Sequence, residues 1–268
     1  MTVRLLQIDA FTDSPFAGNP AAVALVDGGS TPVGDDAHLQ AIALEMNLSE
    51  TAFPVRRDDG DWDLRWFTPA AEVDLCGHAT LATAHALLTE GLVDDEEITF
   101  HTRSGPLVCR RSDDGIIMDF PASPAEPAGP VPGLEEALGV ATTAVGRSFD
   151  LVAEVATPET VASVTPDLGA LARIETRAVI VTAAGDVDGG DAHFVSRVFG
   201  PRVGVPEDPV TGSAHCILAP WWSERLDRTE FRAHQASPRG GRLGVRLIGD
   251  RVELEGNAVT VLDGTLAV

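Results

Sequence analysis

The sequence predicts an α+β protein of two similar lobes, each a β-sheet curled around its own central helix. Three observations carry this expectation. Short strand-like segments joined by tight turns fill most of the chain. Two helical segments are apolar on nearly every side, so each must be covered on all faces. The approaches to those two helices also match one another, about half a chain apart.

Taken in order, "VRLLQIDAF" alternates and is rich in strand formers, and "AAVALV" follows the turn-like "DSPFAGNP". In "DDAHLQAIALEMN", Leu39, Ile42, Ala43 and Met46 fall on one helical face. Asp35 or Asp36 can cap its start and Asn47 can end it. "TAFPVRR", "DDGD" and "WDLRWF" read as a hairpin with Asp-Gly in its turn. "LVCRR", "DDG" and "IIMDF" read as another. The second helix runs from about His78 to Glu90, with Gly91 as terminator. The third runs from about Ser213 to Arg225, and Pro220 inside it removes a backbone hydrogen bond and predicts a kink. "GRLGVRLIGDRVELEGNAVTVLDG" reads as a closing meander. Frequent short turns favour antiparallel or mixed sheets over a doubly wound parallel one.

Aligning Gly77 with Gly212 places Glu72 on Glu207, Cys76 on Thr211, His78 on Ser213 and Ala79 on Ala214. This points to an internal duplication with lobes at 1–125 and 126–268 and the option that the terminal strand crosses back to the first. The first turn of a helix carries unpaired N–H groups and partial positive charge. Glycine lets a ligand approach that backbone closely. Gly77-His78 and Gly212-Ser213 are therefore candidate anion cradles, each with a side-chain donor added. Ordinary capping is the alternative for either residue alone.

Composition narrows the partners. The 268 residues carry a formal charge of −22, and every cation apart from histidine is arginine. Such a chain repels nucleic acid and cannot assemble a basic membrane-binding face. A well-solvated acidic surface and adaptation to high salt both fit the acidity. Cys76, Cys109 and Cys216 form no CxxC pair and no disulfide framework. "MTVRLLQIDAF" lacks a signal-peptide pattern, so the expectation is a cytoplasmic protein with reduced thiols. Spacing yields no four-ligand metal set; His215 and Cys216 fall inside the third helix and read as core, as does His85 in the second.

Five blocks in order, "DAFTDSPFAGNPAAV", "EMNLSETAF", "FTPAAEVDLCGHATLA", "VPEDPVTGSAHC" and "QASPRGG", resemble the phenazine biosynthesis PhzF-like isomerase family of the diaminopimelate epimerase-like superfamily. They span Asp9 to Gly241. The resemblance implies two lobes related by a pseudo-twofold axis with a cleft between them. It also implies no pyridoxal phosphate or other cofactor, no metal, and a homodimer acting on a small carboxylate-bearing substrate. It places the acid/base carboxylate on Glu45, its helpers on His78, Asp208 and Ser213, and Asp9 and Asn19 in the site lining. Glu45 ends a predicted helix, where the negative end of the dipole favours the protonated acid. Asp208 would accept a hydrogen bond from substrate or hold His78 in one tautomer. Ser213 would bind the substrate carboxylate, and Gly240 and Gly241 would lie near it.

The family activity implied is isomerisation of the trans-2,3-dihydro-3-hydroxyanthranilate type, by proton removal and redelivery. Cys76 opens a second reading, because "LCGHA" resembles the "CGHG" segment of proline racemases. The matched residue Thr211 cannot complete a two-thiol pair, which leaves a one-base epimerase or dehydratase. A non-catalytic small-carboxylate-binding protein is the third reading.

Overall fold

The computed structural model describes residues 2–30 and 32–267. The chain divides into two units. One runs through Asp119 and takes back the segment from Glu255 onward; the other is Phe120–Leu254. The boundary therefore falls before the expected 125/126, and the segment from Glu255 belongs to the first unit. No helix among the described residues is long and apolar enough to cross a membrane.

The first unit is built on β1 (Thr2–Ala10), β2 (Asn19–Leu25), β3 (Glu50–Arg56), β4 (Trp62–Phe67), β5 (Glu72–Val73), β6 (Glu97–Thr102), β7 (Gly105–Ser112) and β8 (Gly115–Pro121). Helix α1 (Asp36–Met46) precedes β3, and α2 (Gly77–Thr89) follows β5. β2 runs antiparallel to β1 and parallel to β3. β4 runs antiparallel to β3 and β5 but parallel to β6, and β6 runs antiparallel to β7.

β2 is buried on both faces because helices cover both. Ala22 and Ala24 pack in the cluster that holds Leu39, Ile42 and Ala43 of α1. α2 packs against β1, β2 and β3. As predicted for a helix enclosed by sheet, α2 buries every residue from His78 to Ala84. Its buried threonines cost little, because Thr80 and Thr83 donate to the carbonyls of Cys76 and Ala79 at 2.6 and 2.7 Å. α1 keeps its predicted caps: Asp35 accepts from the His38 amide, and Asn47 takes the left-handed conformation.

The second unit repeats the plan. After β9 (Glu126–Ala128) and α3 (Leu134–Leu138) come β10 (Ala144–Arg147) and β11 (Leu151–Glu154). Next are α4 (Pro158–Ser163), α5 (Leu168–Leu171), β12 (Val179–Ala184), β13 (Phe194–Gly200) and β14 (Val205–Asp208). α6 (Gly212–Leu226), β15 (Glu230–Gln235), β16 (Gly241–Ile248), β17 (Arg251–Gly256) and β18 (Ala258–Ala267) complete the chain. The pairing sequence of β1 to β7 recurs in β10 to β16: antiparallel, parallel, antiparallel, antiparallel, then parallel and antiparallel. α6 follows β14 as α2 follows β5. The short helices α3, α4 and α5 were not predicted; they cover the outer face of the second sheet with Leu134, Leu138, Val161 and Leu171.

Side chains repeat as well as strands. Arg65 faces Phe53 across the ladder, and Arg197 faces Val181. Arg65 grips Glu72 at 2.7 and 2.8 Å, and Arg197 grips Glu207 at 2.7 and 2.9 Å. Each guanidinium also lies over the phenylalanine two residues on, 5.1 Å from Phe67 and 5.0 Å from Phe199.

One sequence expectation changes. The closing segment is not a simple meander, because β18 lies antiparallel against β1. β9 likewise pairs with β10, so each half of the sequence ends in a strand that completes the sheet begun by the other half. Pro220 does sit inside α6, and the carbonyl that its missing N–H leaves free finds a donor from a distant segment. The amide of Ser123 donates to the carbonyl of Cys216 at 3.0 Å, the acceptor that residue 220 would otherwise use.

Candidate active site

In the first unit the chain must turn sharply to start β2 at Asn19. Gly18 makes this possible: its φ is +64°, and a Cβ there would lie 2.1 Å from the Ala10 carbonyl oxygen. The buried carboxylate of Asp9 accepts from the Phe16 amide at 2.7 Å and fixes the same loop. Asn19 is thereby held with no exposed surface, its Nδ2 3.2 Å from His78 Nδ1. Ser49 Oγ donates to Asn19 Oδ1 at 3.2 Å.

His78 stands in the first turn of α2, directly after the N-cap Cys76 and Gly77. Its Nε2 lies 2.9 Å from Glu50 Oε2. Glu50 opens β3 in parallel register with Ala21. The contact is close enough for an ion pair, yet Oε2 is buried without a well-aligned hydrogen-bond donor. Cys76 Sγ lies 3.5 Å from His78 Nδ1.

The three groups set one another's protonation. Burial disfavours the Glu50 carboxylate, but the charge and contact of His78, with help from Cys76, hold it below the usual carboxylate range. Burial also disfavours the His78 imidazolium, and its neighbours Cys76 and Glu50 outweigh that and raise its pKa well above the ordinary value. Burial and the nearby Glu50 charge push the Cys76 thiol up to about 11, with His78 opposing. Glu50 is the carboxylate facing His78.

The sequence expectation on Glu45 is corrected here. Glu45 lies on the exposed face of α1, and the carboxylate brought to His78 is Glu50, five residues on in the same "EMNLSET" block. Helix geometry gives the reason. α1 buries Leu39, Ile42 and Ala43, and a residue two positions beyond Ala43 is turned about 200° away. Glu50 instead begins the strand whose next residues, Thr51, Ala52 and Phe53, are all buried. The signal in the sequence was this change of period from helix to strand between the two glutamates.

The second unit gathers Asp208, Thr211, Gly212 and Ser213 at the start of α6. Thr211 Oγ1 donates to Asp208 Oδ2 and its amide donates to the buried Gln235 Oε1 at 2.9 Å. Gln235 Nε2 donates to the Asp208 carbonyl at 2.7 Å. Arg177, not anticipated from sequence, donates from Nη2 to Ser213 Oγ at 2.9 Å. The fully buried Asp150 holds the same guanidinium, with Nε 2.9 Å from Oδ1, and the ring of Phe149 lies 4.9 Å away. Counting back four positions from the matched residues Phe53 and Val181 puts Arg177 where the first half has Ser49. Thus matched halves carry different chemistry: a carboxylate against an imidazole in one, a guanidinium against a hydroxyl in the other. Gly240 takes φ +66° with its amide donating to Ser237 Oγ, a turn between β15 and β16.

Two clusters among the described residues bring metal-ligating atoms together: Glu50, Cys76 and His78, and the more exposed Asp59, Asp61 and His101.

The family model described as phenazine biosynthesis-like protein matches residues 8–264. The chain belongs to this phenazine biosynthesis-like family. An uncharacterized isomerase of Pseudomonas aeruginosa is 50% identical, over 99% of both chains. The human phenazine biosynthesis-like domain-containing protein is 40% identical, also over 99% of both. Among solved structures, a family protein from Enterococcus faecalis superposes with a TM-score of 0.94 at 41% identity, covering all of both chains. A hydroxyproline epimerase from Agrobacterium vitis shares the fold, with a TM-score of 0.62 at 13% identity, over 100% of this chain and 93% of that one. The phenazine biosynthesis-like chain is thus an isomerase relative with an epimerase-type fold.

Proposed function

We propose that the protein is a proton-transferring isomerase that needs neither pyridoxal phosphate nor a metal, with Glu50 as its acid/base group. The observation that carries this reading is the 2.9 Å contact between Glu50 Oε2 and His78 Nε2 at the tip of the enclosed helix α2. The carboxylate takes a proton from an acidic carbon of the substrate. The electron pair left behind delocalises into the substrate as an enolate, and the neutral acid returns the proton at a second carbon. No proton is gained or lost overall. His78 stabilises the carboxylate between turnovers, and Asn19, 3.2 Å from Nδ1, orients the imidazolium with its amide turned to present Oδ1. The substrate class suggested by the family is a small cyclic or amino-acid-like carboxylate, and trans-2,3-dihydro-3-hydroxyanthranilate is the first compound to test. The curated relatives named as isomerases support the reaction class.

The Cys76-dependent alternative is less well supported. A buried thiol raised to about 11 is a poor base near neutrality, and its counterpart in the other half is Thr211. Deuterium incorporation from solvent into that substrate and a panel of cyclic and amino-acid carboxylates separates these readings. Glu50→Gln is expected to lower incorporation on the order of 100-fold or more. Glu45→Gln is expected to leave it within about twofold, as for a surface change. Full activity in Glu50→Gln with loss in Cys76→Ser would transfer the role to the thiol. No incorporation from any compound despite saturable binding would favour a binding protein.

A further inference from the structure

We infer that Glu50, Cys76 and His78 form a binding site for one thiophilic divalent cation of the Zn²⁺ class, and that the bound ion switches the acid/base pair off. Binding rests on ligand geometry alone, whereas the inhibitory consequence rests on the function proposed above.

One ligand atom from each residue lies within 4.8 Å of the others. The set is mixed nitrogen, sulfur and oxygen, the combination that zinc accepts and that magnesium and calcium do not. With ordinary zinc–ligand bond lengths, tetrahedral angles put sulfur and nitrogen about 3.6 Å apart, and nitrogen and oxygen about 3.4 Å apart. Here Cys76 Sγ lies 3.9 Å from His78 Nε2, and Glu50 Oε2 lies 2.9 Å from the same nitrogen. Both distances to that nitrogen are therefore within about half an ångström of the tetrahedral values, and no pair in the set is more than 4.8 Å apart.

A second feature points the same way. The contact of Glu50 Oε2 with His78 is poorly aligned for a hydrogen bond, which leaves a lone pair of this buried oxygen to coordinate an ion. With the ion on Nε2, His78 Nδ1 carries the proton, and Asn19, 3.2 Å away, steadies the ring once its side-chain amide is turned to present Oδ1 as acceptor. Spacing alone could not reveal the set, because Glu50 arrives from β3 while Cys76 and His78 come from the start of α2. Three protein ligands leave a fourth position for water or an incoming carboxylate. Coordination displaces the protons of the Cys76 thiol and of His78 Nε2 to solvent and engages the lone pair that Glu50 needs to take a proton, so occupancy and turnover exclude one another.

Cobalt(II) is the direct probe, because a thiolate ligand gives a charge-transfer band in the near ultraviolet. The full-length protein, stripped with chelator, is titrated with Co²⁺ and then with Zn²⁺. The expected result is one equivalent bound with the thiolate band, displacement by Zn²⁺, and loss of the band in Cys76→Ser. Glu50→Gln should keep the band but weaken affinity on the order of 10–100-fold, which also covers the case of a misfolded Cys76→Ser. Asp61→Asn, in the exposed cluster, should bind as the parent does. No saturable binding, a band that survives Cys76→Ser, or a loss confined to Asp61→Asn overturns the inference. Zn²⁺ should abolish solvent exchange, and chelator should restore it. If Glu50→Gln still exchanges solvent but binds Co²⁺ weakly, the acid/base assignment fails and the metal site stands. If Glu50→Gln loses exchange while the parent binds no Co²⁺, the reverse holds.

Discussion

At the scale of single residues, two histidines show how burial and partners divide one residue type into opposite roles. His78 and His215 are both enclosed near helix starts that match in the duplication. His78 faces a carboxylate and is held protonated well above the ordinary range. His215 faces the Thr211 carbonyl at 2.8 Å and the Phe194 ring at 5.9 Å, and burial, only partly opposed by that hydrogen bond, pushes it down to about 4. The folded protein therefore holds His215 neutral while the unfolded chain accepts a proton near pH 6.5. Its contribution to stability is full above that pH and is lost as pH falls towards 4. At about pH 4.5 the loss from this residue is about 2–3 kcal/mol. His215→Phe should remove that share, so urea unfolding at about pH 7.5 and about pH 4.5 should differ less in the variant than in the parent. Parallel losses in both proteins would contradict the assignment.

At the scale of elements, the duplicated arginines provide an internal comparison. Both clamp the strand that leads into a central helix, and so both position a helix tip. Arg197 is 11% exposed and also donates to the Val164 carbonyl at 2.7 Å, which ties α4 to the sheet. Arg65 is 32% exposed, and its partner Glu72 has a second cation in Arg103 at 2.6 Å. Removing the buried guanidinium strands Glu207 and several carbonyls. Arg197→Met is expected to cost about 3–5 kcal/mol. Arg65→Met leaves Glu72 paired and should cost about 1 kcal/mol or less. Denaturant midpoints of the two variants check this ordering, and equal midpoints would refute it. The elements themselves were well announced in the sequence. α1, α2 and α6 begin and end within a residue or two of the expected positions because their caps and apolar faces are local properties. The short helices α3 to α5 were missed because each depends on the sheet it covers rather than on its own periodicity.

For the molecule as a whole, the return of β18 to β1 is the feature on which completion of the first unit depends. The two strands pair along nearly the whole of β1, from Thr2 to Ala10. Without β18, β1 would present an unpaired, largely apolar edge, which invites association with other chains. Deleting residues 258–268 should therefore yield aggregated protein with little native far-ultraviolet circular dichroism, although most of the deleted side chains are partly or fully exposed. A soluble, cooperatively folding truncated chain would show that the exchanged strand is dispensable.

The sequence by itself determined the α+β class, the duplication, the two glycine-led helix tips and the grouping of Cys76 with His78, because each is written in local pattern or in matched blocks. It also held, in the period of α1, the reason that Glu45 points outward. Only the tertiary structure decided which carboxylate meets the imidazole, that Arg177 meets Ser213, and that β18 closes the first sheet. Those three depend on strand pairing between segments far apart in the chain. Register across a sheet is fixed by packing on both of its faces at once, which no local window of sequence contains.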